Sequence, residues 1–239
     1  MADSEQGFWE GIELVGIILI FRWAPAGIGF VTNSRAISGH NKVMATQPST
    51  MLSEQDYLAL DRAAEYKSEF VDGEMYAMSG GTGRHSHLAL RLAFELMNQL
   101  QGRDCLVYNS DMRVRVGKRR SYVYPDLSVV CGGSIILDDD LLESPIVIVE
   151  VLSPSTEDYD HGKKFALYRE IPSLKDYLLV HTDEVLIEHF APQADGNWLV
   201  SYRKGMDAVV QLISIGCSIA LKDLYYGLFD GVAGSPTAD

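Results

Sequence analysis

Asp126 and Glu150 are the residues of this chain whose setting points most directly to chemistry. Each is a lone acid in an apolar segment, Tyr124-Pro125-Asp126-Leu127-Ser128-Val129-Val130 and Pro145-Ile146-Val147-Ile148-Val149-Glu150-Val151-Leu152. A carboxylate in a strand of Val and Ile must be paired, protonated or bound to a metal. Alternation places Tyr122, Tyr124, Asp126 and Ser128 on one face of one strand, and Ile146, Ile148, Glu150 and Leu152 on one face of the other. In suitable register the two carboxylates face each other and reach one cation. An oxygen-rich site of this size suits Mg²⁺ or Mn²⁺, which keep several waters. Such a cation orients water and stabilises charge on a phosphate, and a nearby lysine adds to that stabilisation. The plainer readings are that Asp126 merely edges a strand after Pro125, and that Glu150 pairs with a core Arg or Lys.

The elements that must hold these residues follow from the pattern. Ser53 with Asp56 reads as a capping box opening a short helix. Asp72-Gly73, flanked by Phe70-Val71 and Met75-Tyr76-Ala77-Met78, is a hairpin signal. The clearest helix runs from His85 to Leu100, with Leu88, Leu92, Leu96 and Leu100 recurring every fourth residue. Strands follow at Leu106–Tyr108, Met112–Val116, Tyr122–Val130 and Ile146–Leu152. Ser155 with Asp158 opens a helix to about Glu170, ended by Pro172. Further strands lie at Tyr177–His181, Val185–Phe190, Trp198–Tyr202, Val209–Ile213 and Ser218–Leu221. The step from the Glu150 strand through a helix to the Tyr177 strand is a β-α-β unit, which makes those strands parallel. The expected class is α/β (α+β): a mixed sheet flanked by helices, with added antiparallel strands.

The chain has 239 residues, a formal net charge of −13 and an ordinary globular composition, 47% hydrophobic and 22% charged. The acidic balance argues against broad nucleic-acid binding through counterion release, though a local patch can oppose the net charge. The basic cluster is Arg113, Arg115, Lys118, Arg119 and Arg120; Asp138-Asp139-Asp140 reads as a solvated loop. Residues 1–50 read as an appendage or linker, 51–230 as the domain and 231–239 as a tail. The apolar run Phe8–Trp23 lacks a preceding Lys or Arg, so it fails as a secretory signal. As a membrane span it is short and carries Glu10, Glu13 and Arg22, so no membrane association is expected. Cys105, Cys131 and Cys217 are far apart, form no C-x-x-C pair and support neither a zinc site nor a disulfide framework. A cytoplasmic setting follows.

Pro125-Asp126 followed by Glu150 at the end of an apolar strand resembles the core of the PD-(D/E)xK nucleases. Tyr124–Cys131, Ile148–Thr156, Asp160, Lys164, Tyr168 and Pro172–Tyr177 together resemble the Uma-type restriction endonuclease family. Tyr66–Glu74, Met78–Gly80, His85 and Ser110–Val114 fit as well, and the resemblance spans roughly Met51 to Gly227. It implies a restriction-endonuclease-like fold and a metal-dependent endonuclease hydrolysing phosphodiester bonds in DNA. It implies Asp126 and Glu150 as catalytic and metal-holding residues, with Mg²⁺ or Mn²⁺ as cofactor. This chain departs from the general pattern where Val151-Leu152 stand in place of x-K. The lysine then comes from the following helix as Lys164, which shares a helix face with Asp160 and Tyr168; a plain ion pair with Asp160 is its bland reading. His85, at the start of the first core helix, is a second candidate to approach the metal. Glu69 and Asp111 are candidates on the resemblance alone. A homodimer would bring two sites to the two strands of a duplex. The alternative is a catalytically inactive nuclease-fold binding module.

Overall fold

A computed structural model describes residues 51–78, 80–117, 121–133, 136–137, 140–153 and 157–229. The expected appendage and tail, Lys118–Arg120, Asp138-Asp139 and the Ser155 cap lie outside them.

Helix α1 (Glu54–Ala63) starts at Ser53, whose Oγ accepts from Asp56 N at 3.2 Å, as the capping signal predicts. Strands β1 (Ser68–Val71) and β2 (Glu74–Ala77) form the hairpin. Its turn residues Asp72 and Gly73 both have positive φ, 52° and 87°, which is why an Asp-Gly pair stands there. Helix α2 (Gly83–Leu100) begins two residues earlier than the leucine pattern indicates, because Thr82 Oγ1 caps it by accepting from His85 N. Its four periodic leucines are all buried.

Strands β3 (Cys105–Asn109), β4 (Arg113–Val116), β5 (Ser121–Val123), β6 (Leu127–Cys131), β7 (Ile136–Leu137), β8 (Leu141–Leu142) and β9 (Val147–Val151) follow. The expected single strand from Tyr122 to Val130 is in fact two, in different sheets. Pro125 fixes φ and lacks an N–H, so the ladder breaks at Tyr124-Pro125-Asp126 and the chain turns a corner there. Beyond β9 the chain forms one continuous helix in three segments: α3 (Glu157–Tyr159), a π turn (Asp160–Lys164) and α4 (Phe165–Tyr168). Strands β10 (Asp176–Val180), β11 (Leu186–Pro192), β12 (Trp198–Lys204), β13 (Val209–Leu212) and β14 (Cys217–Ala220) and helix α5 (Leu221–Leu224) complete it.

One six-stranded sheet has the order β12-β11-β10-β9-β6-β3, the other β2-β1-β5-β4-β8-β7. In the first, β9 and β10 are parallel, as the β-α-β reading requires, and every other pairing is antiparallel. Strand parity divides that sheet into two faces. Leu127, Val129, Val147, Val149 and Val151 pack under Leu88, Leu92, Leu96 and Leu100 of α2. Val130, Ile148, Leu152 and Leu179 pack on the opposite face with Tyr168, Tyr177 and the second sheet's Val114, Val123 and Leu142. Each fully buried leucine contributes about 1.5–3 kcal/mol through its removal from water. Glu150 has the parity of this second face, so apolar packing on both sides fixes where its carboxylate must lie.

The cysteine expectation is corrected. Cys105 on β3 lies opposite Cys131 on β6, and the two form a disulfide. A sequence separation of 26 conceals a pairing that the β3–β6 register creates. No helix among the described residues is long and apolar enough to cross a membrane.

Candidate active site

The corner after β5 delivers Asp126 to the end of β9. Leu127 pairs with Val149 and Ser128 with Ile148, so one further step in that register sets Asp126 opposite Glu150. Asp126 Oδ2 accepts from Val151 N at 2.7 Å, which pins the carboxylate to the β9 edge. The same oxygen lies 3.0 Å from His85 Nε2, in the first turn of α2. Gly81 makes room for that imidazole: a Cβ there would stand 2.6 Å from His85 Nδ1. The hydrogen bond to Asp126 raises the His85 pKa against the opposing effect of burial.

Glu150 is buried. Its Oε1 accepts from Lys164 Nζ at 2.9 Å and from Tyr168 Oη at 2.6 Å. Lys164 Nζ also lies 3.2 Å from Glu69 Oε1 and 3.5 Å from Asp160 Oδ1. Tyr159 Oη donates to Glu69 Oε2 at 3.0 Å, and Tyr177 Oη donates to the Asp160 carbonyl at 3.0 Å. Lys164 closes the π turn that Asp160 opens; such turns recur at functional sites within helices. Asp160, Lys164 and Tyr168 all face the Glu150 strand, as their four-residue spacing predicts.

Four carboxylates (Glu69, Asp126, Glu150 and Asp160) thus gather around one ammonium and one imidazole. Burial raises the Glu150 pKa well above the ordinary carboxylate value; Lys164 opposes the shift, and Asp160 and Asp126 reinforce it. Burial lowers the Lys164 pKa, but Glu150, Glu69 and Asp160 outweigh it and hold it well above the ordinary lysine value. Asp126 Oδ1 and Glu150 Oε2 accept no hydrogen bond among the described residues.

The structure therefore brings five sequence candidates together: Asp126, Glu150, Lys164, His85 and Glu69. Asp111 stands apart in the turn after β3. Its side chain is 71% exposed and pairs with Lys67 at 2.6 Å, which lowers its pKa. Tyr159 and Tyr177 carry no sequence signal as site residues: Tyr177 reads as core of an apolar strand, and Tyr159 as one tyrosine in a polar helix start. Glu69, a lone acid among the buried residues of β1, carries the same signal as Asp126 and Glu150.

Among the described residues no three His, Cys, Asp or Glu side chains are grouped so as to hold a metal ion. Asp126 and Glu150 are the residues that could hold a divalent cation, since Mg²⁺ binds through one or two carboxylates and keeps its waters.

The fold has a solved counterpart in the crystal structure of a putative nuclease from Anabaena variabilis. The TM-score is 0.57 at 19% identity, over 70% of this chain and 93% of that one. Two uncharacterised proteins of Synechocystis sp. align as well. One is 40% identical over 181 residues, 76% of this chain and 95% of its own length. The other is 31% identical over 171 residues, 71% of this chain and 97% of its own length. The family model Uma2, described as putative restriction endonuclease, matches residues 54–221. The chain belongs to that family and has its restriction-endonuclease-like fold.

Proposed function

We propose that this chain is a metal-dependent endonuclease that hydrolyses phosphodiester bonds in DNA. The observation that carries the reading is the convergence of Asp126, Glu150 and Lys164 at the C-terminal end of β9. Asp126 and Glu150 would hold the cation, Mg²⁺ or Mn²⁺. When bound, it supplies positive charge to the scissile phosphate and lowers the pKa of a water. Lys164 adds a fixed positive charge for the oxygen that becomes anionic as the phosphate is attacked. Glu69 and Asp160 keep that ammonium protonated and aimed, and Tyr168 fixes the Glu150 rotamer. His85 holds Asp126 Oδ2, leaving Oδ1 for the cation. Asp111 orients Lys67 at the rim.

The test is cleavage of supercoiled plasmid and of end-labelled single- and double-stranded DNA, with Mg²⁺, Mn²⁺ or EDTA. Wild type cleaves with the cation and not with EDTA, and Asp126→Ala abolishes cleavage. Wild type and Asp126→Ala equally inert on all substrates would overturn the reading and leave a binding module that kept the fold.

A further inference from the structure

Beside the carboxylate cluster lies a second polar depression of about 340 Å³, lined by Asp61, Arg62, Ala64, Glu65, Tyr66, Lys67, Arg113, Tyr124 and Asp140. Lys67 stands two residues before Glu69, and Tyr124 two before Asp126. Tyr124 N also lies 3.4 Å from Glu69 Oε1, so the two places share a wall.

Asp140 sits in this depression as an anion would. Arg62 grips its carboxylate with two nitrogens, Nε on Oδ2 and Nη2 on Oδ1, both at 3.0 Å. Arg113 Nη2 donates to Oδ2 at 3.0 Å from the other side. Two guanidinium groups closing on one group of oxygens is the arrangement that recognises phosphate as well as carboxylate. Arg113 is 3% exposed, and its buried Nη1 has no hydrogen-bond partner among the described residues. A carboxylate leaves that donor idle; a phosphate, with more oxygens, has one to offer it. Asp61, 3.3 Å away, keeps Arg113 paired when Asp140 withdraws. Tyr66 completes the wall with a ring that is 69% exposed, where one end of an unpaired base can stack.

We infer that this depression is a phosphate subsite for a single nucleic-acid strand, with Asp140 standing in for the phosphate until the strand displaces it and Tyr66 stacking the adjoining base. The inference rests on the nuclease reading for its strand, and it assigns that site a substrate of unpaired nucleotides next to the scissile bond.

The test is fluorescence anisotropy of a labelled single-stranded oligodeoxynucleotide and its duplex in EDTA, where binding is read without cleavage. Asp140→Ala binds the single strand more tightly than wild type by about tenfold or more, as expected when a competing charge-assisted contact is lost. Tyr66→Ala, at an exposed position that leaves the fold intact, binds about tenfold more weakly through lost stacking. Arg62→Ala reduces the slope of log affinity against log salt by about one phosphate contact. Duplex affinity changes less than single-strand affinity in each case. If Asp140→Ala gains nothing and Tyr66→Ala loses nothing, or no variant binds the strand, Asp140 is only a structural tie and the inference falls. The two readings fail separately. Strand binding that responds to these variants without any cleavage leaves the subsite and removes the enzyme; cleavage with unresponsive binding does the reverse.

Discussion

Replacing Lys164 by methionine removes the charge that Glu69, Glu150 and Asp160 share while keeping most of the apolar stem. The ammonium now lies 2.9 Å from Glu150, 3.2 Å from Glu69 and 3.5 Å from Asp160, with only 8% of the side chain exposed. Deleting one partner of a buried pair costs about 3–5 kcal/mol, because the remaining charge has neither water nor a counter-ion. For a domain of this size each kcal/mol is roughly 2–4 °C in Tm, so Lys164→Met should melt about 6–20 °C lower at pH 8. The penalty must also depend on pH. The acids left behind can relieve it only by taking up protons, and Glu150, raised by its burial, takes the first. A carboxyl whose folded pKa lies above its unfolded value binds more protons in the folded state, so stability falls as pH rises through that range. The loss is therefore smallest near pH 5 and largest at pH 8.5. Urea unfolding of wild type and variant at pH 5, 7 and 8.5 reads it directly. A variant within about 1 kcal/mol of wild type at pH 8.5, or a penalty that ignores pH, would refute the claim that Lys164 neutralises this cluster.

Two further predictions concern parts of the fold outside the cluster. His161 Nδ1 meets the Glu157 carbonyl at 2.9 Å and Nε2 meets Glu188 Oε1 at 2.8 Å, so with Glu188 ionised both nitrogens must donate and the ring is cationic. Burial opposes the charge but is outweighed by Glu188 and Glu157, which raise the pKa. Its stabilising effect is whole below the ordinary imidazole value of about 6.5 and is lost as pH rises through the raised one. His161→Gln should flatten the difference between urea midpoints at pH 5.5 and 8.5; an undiminished difference contradicts the assignment. The Cys105–Cys131 bond closes a separation of 26 residues, for which chain entropy gives about 3.5 kcal/mol. Reduction should lower the unfolding free energy by about that amount, and thiol titration in denaturant without reductant should count Cys217 alone; three titrating thiols and no response to reductant would refute the bond.

The site was legible where burial and charge conflict within a short window. Asp126 and Glu150 stood out because each is the lone acid of an otherwise largely apolar run, and strand parity then placed Glu150 on the right face. Lys164 came from the family resemblance, and its spacing to Asp160 and Tyr168 set it on their helix face. Glu69 carried the same conflict in a strand of four residues, too short to stand out beside a hairpin signal. The rest depended on tertiary register. No residue type in 157–168 marks a π turn against an α turn. The disulfide exists only because β3 and β6 align Cys105 with Cys131. The split at Pro125 was signalled by the proline itself, yet the apolar run on both sides reads as one strand until two separate sheets claim its halves.

The central claim, that Asp126 and Glu150 form a divalent-cation site, is tested most directly by calorimetric titration of Mn²⁺ into the purified chain. Wild type should bind with a saturable heat, and both Asp126→Asn and Glu150→Gln should abolish it while retaining the circular dichroism of the fold. The absence of saturable binding in wild type, or binding that survives both substitutions, would contradict the account.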